Sequence, residues 1–125
     1  MRVVRAGEGR LRTEEGKAYA GLAVPSTGAQ ELVVARVRKE PTAANAAHSH
    51  DREEVVVVLG GRGRADIAGQ TVELETGDTL IIPAGALHEV SALDDAPLDC
   101  LIAKPAGIRF FDPAGRPMAV PDWMS

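Results

Sequence analysis

Two short stretches hold every histidine of the chain. AHSHDREE carries His48, His50 and Glu54, and PAGALHE carries His88. Neutral imidazoles and a carboxylate are ligands for divalent transition ions, and such a set leaves coordination positions open for exchangeable ligands. His48 and His50 are two residues apart, so on a strand they project to one face. Glu54 shares that parity, yet on a straight strand it would lie roughly 20 Å from His48 at about 3.3 Å per residue. One ion cannot reach both. The strand must therefore end or bulge at Asp51-Arg52-Glu53, with Glu54 starting the return. His88 follows Pro83-Ala84-Gly85, a tight turn that ends an apolar strand. Taken singly these are ordinary hydrogen-bonding residues; their joint spacing predicts one divalent transition ion (Fe, Mn, Ni, Co, Cu or Zn) held by His48, His50, Glu54 and His88.

The elements that must position these side chains are strands. Glu31–Arg38 is β-branched and apolar, with Val33, Ala35 and Val37 on one face, and Pro41 ends it. Glu54–Leu59 is the strongest strand signal. It does not alternate, which predicts burial of both faces: Glu54, Val56 and Val58 toward the interior, Val55, Val57 and Leu59 against a second layer or a partner subunit. Gly60-Gly61-Arg62-Gly63 turns into Arg64–Ala68, and a phosphate cradle there is disfavoured because no helix pattern follows. Gln70–Glu75 alternates with Val72 and Leu74 inward; Thr79–Ile82, His88–Leu93 and Leu98–Ala103 follow, separated by Gly, Pro and Asp. Before residue 31 the pattern is weak, with strands expected at Arg2–Ala6 and Lys17–Val24 and a loop at Pro25–Gly28. The last twenty residues hold Phe110, Phe111 and Trp123 and three prolines. They predict a tail without regular strands that packs over the barrel or a neighbouring subunit. Strands at this spacing read as a small all-β sandwich or barrel.

The two motifs resemble those of the cupin superfamily. His48, His50, Glu54 and Gly61 match its first motif, and Gly77, Pro83, Gly85 and His88 match its second. Thr42 stands where the first motif opens with Gly, and Ala92 where the second often has Asn; neither is a ligand. The resemblance covers residues 42–92 directly. It implies a double-stranded β-helix (jelly-roll) barrel, with residues 1–30 as N-terminal strands or arm, 31–105 as barrel and 106–125 as packing tail of one domain over 1–125.

The chain's 125 residues suffice for one core. A net charge of -4 and a pI near 5.3 argue against nucleic-acid binding. No apolar run approaches a membrane span, and MRVVRAGEGRLR lacks a signal-peptide core. The single cysteine, Cys100, excludes an intrachain disulfide and suits a reducing compartment, so a cytoplasmic protein is expected. A homodimer is expected from the outer valine face, a pairing common in the resembled family.

Other polar residues carry less. Gln30, Arg36 and Arg38 read as a solvated face rather than a cavity mouth, and Glu53 and Glu89 point away from their ligand neighbours by parity. Cys100 reads as a buried inert thiol, since no histidine is free to activate it. With no surplus base and no nucleophile–base pair, any chemistry falls to the ion, with Glu54 as the one protein base. The expected lining (Val33, Ala35, Val37, Val56, Val58, Val90, Ala92) is small, aliphatic and poor in aromatics. A compact chelating substrate fits it. The expected activity is an oxidoreductase of dioxygenase type; a metal-assisted isomerase, decarboxylase or lyase is the alternative, and a binding module without turnover the reading from another class.

Overall fold

The computed structural model describes residues 1–125 and is built from twelve strands and two short 3-10 turns. Six strands form one sheet in the order β1–β2–β3–β10–β5–β8. These are Arg10–Glu14, Lys17–Ala23, Leu32–Lys39, Leu98–Pro105, Glu54–Gly60 and Thr79–Ile82. A second sheet joins β7 (Gln70–Leu74), β6 (Gly63–Ile67) and β9 (His88–Ala92); a third joins β12 (Pro117–Met118), β11 (Phe110–Phe111) and β4 (Ser49–His50). All pairings are antiparallel. An antiparallel bridge between His48 and His88 links β9 to the lead-in of β4, so the two smaller sheets continue one another. The result is the jelly-roll barrel.

Period-two alternation builds the interior. Val33, Ala35 and Val37 of β3 are buried, as are Val56 and Val58 of β5 and Leu98, Cys100 and Ile102 of β10. They pack with Ala65, Leu74 and Ile82 from the neighbouring strands. The same alternation continues one step further on β10 than the sequence reading allowed. Lys104 takes the next inward position and is only 5% exposed.

The structure corrects several expectations. Within this chain Glu54–Leu59 does not bury both faces: Val55 and Val57 are half-buried and Leu59 is 43% exposed, so of the two expected covers the second layer is not supplied by this chain and the partner subunit is left. No strand forms at Arg2–Ala6. The first strand is Arg10–Glu14, paired with β2 across a two-residue turn in which Gly16 takes a φ of 71°. Pro25–Thr27 is a 3-10 turn, closed by the Thr27 hydroxyl against the backbone of Val24. Val72 shares the face of Leu74 but is 44% exposed, since β7 is the edge strand of its sheet and only its Leu74 end is covered. The tail is more regular than expected, with β11, β12 and a 3-10 turn at Asp122–Met124, and it does pack on the barrel through Phe110, Trp123 and Met124.

Candidate metal centre

The chain leaves β4 at His50 and re-enters a strand at Glu54, the break that a shared site requires. His48 and His88 exchange both backbone hydrogen bonds, at 3.0 and 2.9 Å, which holds two of the imidazoles side by side with their planes 60° apart. The Gly85 amide donates to the His50 carbonyl at 2.7 Å and ties the Pro83-Ala84-Gly85 turn to the third. Ring centroids of the three histidines lie 4.5 to 5.0 Å apart. One ligand nitrogen from each comes within 4.8 Å of the others.

The hydrogen bonds fix which nitrogens face the centre. Nδ1 of His48 donates to the Ala46 carbonyl, and Nδ1 of His88 to the Ala86 carbonyl, both at 2.9 Å. A carbonyl only accepts, so in the neutral ring Nδ1 carries the proton and Nε2 keeps a lone pair. Burial pushes the His48 imidazole down to about 4 and lowers His88 as well, so both rings are neutral at neutral pH, as a metal ligand must be. Nε2 of His88 and both ring nitrogens of His50 are buried without a hydrogen-bond partner. Orphaned polar atoms are costly in a protein interior. A divalent ion would satisfy Nε2 of His88 and one of the two nitrogens of His50, and this donor set fits one.

Glu54 lies beside the cluster without being part of it, and has a partner of its own. Its Oε1 lies 4.0 Å from His88 Nε2 and its Oε2 3.4 Å from His50 Nε2. The Lys104 ammonium donates to Oε2 at 2.8 Å. Burial alone would raise the Glu54 carboxyl; the His50 ring and the Lys104 charge reverse that and hold it well below the usual carboxylate range. Lys104 carries more of this effect, since the 3.4 Å contact to His50 lacks hydrogen-bond geometry. Of the four sequence-predicted residues, the three histidines cluster and Glu54 lies against two of them, His50 and His88. Lys104 is the residue the sequence reading missed, although its parity with Leu98, Cys100 and Ile102 marks it as inward-facing.

His48, His88, Glu54 and Lys104 line a cavity of about 270 Å³, while His50, 2% exposed, lies outside its lining. Val37, Val56 and Val90 line it as expected, but Val33, Ala35 and Val58 are packed into the core and Ala92 packs against it. The expectation of a wall poor in aromatics is corrected. Phe110 packs edge-on against His50 at 4.2 Å and lies 4.7 Å below the Lys104 ammonium. Tyr19 and Trp123 stack at 4.8 Å beside them. These rings arrive from β2 and the tail, whose contribution the linear pattern concealed. Arg36 and Arg38 are exposed and pair with Asp99 and Glu40, and Gln30 and Glu53 are exposed too, so the solvated-face reading holds for them. Cys100 touches the cavity, but burial pushes its thiol up to about 11, leaving it protonated and unreactive.

Known proteins agree with this architecture. The polyketide cyclase RemF from Streptomyces resistomycificus superposes with a TM-score of 0.76 at 19% identity, covering 98% of this chain and 88% of that one. KdgF from a Halomonas species gives 0.70 at 20% identity over 84% and 94%. Salicylate 1,2-dioxygenase from Pseudaminobacter salicylatoxidans gives 0.69 at 19% identity; the match covers 83% of this chain but 32% of that one. At such identities the likeness is one of fold. No curated protein matches the sequence. The sequence profile of the cupin domain matches residues 35–104, more than half of the chain and inclusive of the three histidines, Glu54 and Lys104. The chain belongs to the cupin family.

Proposed function

We propose that this cupin is a metal-dependent oxidoreductase of dioxygenase type, acting on a small organic compound that chelates its ion. The observation carrying this reading is the convergence of buried imidazole nitrogens without partners at the head of a small, largely apolar cavity. His48, His50 and His88 would hold the ion, with Glu54 Oε1 as fourth donor while Lys104 retains Oε2. A bound divalent ion supplies electrophilic activation and, if redox-active, electron exchange with dioxygen. Phe110, Tyr19 and Trp123 keep water from the site. Oxygen chemistry is favoured because Glu54, ion-paired and held strongly acidic, is a weak proton acceptor.

One observation favours a second reading. The Lys104 ammonium is a proton donor beside the histidines, and such a donor serves a metal-assisted isomerase, decarboxylase or lyase that stabilises an enolate. Oxygen uptake by protein reconstituted with Mn, Fe, Co, Ni, Cu or Zn, screened against β-diketones, flavonol-like compounds and vicinal diols, separates the two. Uptake above the metal-free rate supports the oxygenase. Anaerobic conversion of the same compounds moves the assignment to the second reading, and binding without either leaves a ligand-binding module.

We also propose a homodimer. One row of register across the large sheet reads Ile81, Val55, Ala103, Val34, outward on four adjacent strands. Ile81 is 61% exposed, and such an apolar row suits a two-fold partner. The free Cys100 accords with a reducing compartment, which we take to be the cytoplasm.

A further inference from the structure

Lys39 continues the inward parity of Val33, Ala35 and Val37 and places its ammonium in the cavity that the histidines head. Its one hydrogen bond runs to the Val90 carbonyl at 2.6 Å, and it is paired with no carboxylate, in contrast to Lys104. An ammonium has three donors, so two remain for a ligand. Lys17 lies opposite Lys39 in register on β2 and lines the same end of the cavity. Glu14, opposite Lys17 in register, lines this end too, but it is exposed and turned toward Arg12 at 3.7 Å, and it stands alone against two lysines. This end is therefore positive although the whole chain carries -4. Burial, followed by repulsion from Lys17, pushes the Lys39 ammonium down to about 8 against the weaker opposing pull of Cys100, Glu54 and Glu89.

We infer that Lys39, supported by Lys17, is the specificity-determining residue of this cavity and binds a carboxylate at the end of the substrate opposite the metal-chelating group. The inference rests on the metal-centred reading of the cavity and adds the substrate's class. Val90, whose carbonyl holds Lys39, is two residues beyond His88 on β9, about 7 Å along the strand. The substrate is accordingly a small acid whose carboxylate lies about 7 Å from its chelating atoms. A charge in a partly dehydrated cavity attracts an opposite charge far more strongly than one in bulk water.

The competing explanation is that Lys39 only satisfies the Val90 carbonyl. Calorimetric titration of cobalt-loaded protein distinguishes the two, using glutaric monohydroxamic acid and its neutral analogue with a terminal carboxamide. Both chelate identically and differ only in the distal charge. The wild type should bind the acid about tenfold or more tightly than the amide, the size expected of a charge-assisted contact. Lys39→Met should bring the two within about twofold, Lys39→Arg should keep the preference, and cobalt content should be equal in all three. Equal affinity in the wild type, a preference surviving in Lys39→Met, or failure of both probes to bind a cobalt-loaded protein would each overturn the inference. Failure of the wild type to take up cobalt and each of Mn, Fe, Ni, Cu and Zn would instead defeat the metal-centred reading. Glutarate against glutaramate on the metal-free protein then carries the same comparison.

Discussion

Lys104 and Glu54 neutralise one another at 2.8 Å, 5% and 7% exposed, so neither can be lost alone without stranding a buried charge. Lys104→Met should destabilise the fold by about 3 kcal/mol in urea titrations. Adding Glu54→Gln should restore much of that loss, and strict additivity of the two costs would deny the coupling. Lys39 has the opposite character, since folding holds its ammonium down to about 8 from an ordinary 10.5. Between those values the unfolded chain binds more protons than the native one, so stability rises with pH across that window, on the order of 2 kcal/mol. The groups facing Lys39 there are Lys17, Cys100, Glu54 and Glu89. Denaturation at pH 8 and pH 10 should show the rise, and Lys39→Met should flatten it. The clustering of the three histidines, with Glu54 beside two of them, was legible in the sequence because motif spacing and strand parity bring them to one place. Lys104 and Lys39 were not, because a lysine at the end of an apolar strand looks like its solvated margin until the partner strands are known.

Strand order and turns decide what those residues face. Gly61 ends β5 at a φ of 74°, and a Cβ there would run into the Pro97 carbonyl oxygen. Gly61→Ala should cost more than about 2 kcal/mol through backbone strain and that clash together, measurable as a lowered denaturation midpoint. Trp123 stacks on Tyr19 with planes 12° apart and closes the cavity beside Lys104. Trp123→Ala should lose about 3 kcal/mol and admit water to the histidine cluster. An unchanged midpoint would show that the tail is only draped over the barrel. The central strands were legible because their alternation is strong, as at Leu98–Ile102. Arg10–Glu14 was not, for it is exposed throughout and owes its place to pairing with β2. Phe110–Phe111 was hidden in the same way, since two residues become a strand only by lying beside His50 and Ser49.

For the molecule as a whole, the large sheet turns one face to the interior and on the other leaves Ile81 and Leu59 exposed and Val55 and Val57 half-buried. Val57→Asp on that face should shift sedimentation from dimer toward monomer or aggregate, and a wild-type monomer at micromolar concentration would refute the pairing. The jelly roll itself was legible through its turn spacing and motifs, whereas the bare face is a property of the assembled sheet. Everything proposed about chemistry depends on the ion. Elemental analysis of the protein after reconstitution with Mn, Fe, Co, Ni, Cu and Zn in turn is the most direct test, run beside His88→Ala. The account predicts about one equivalent of at least one of these ions in the wild type, and a sharp loss in a variant that still unfolds cooperatively. Less than about a tenth of an equivalent with all six, or full retention in His88→Ala, would contradict it.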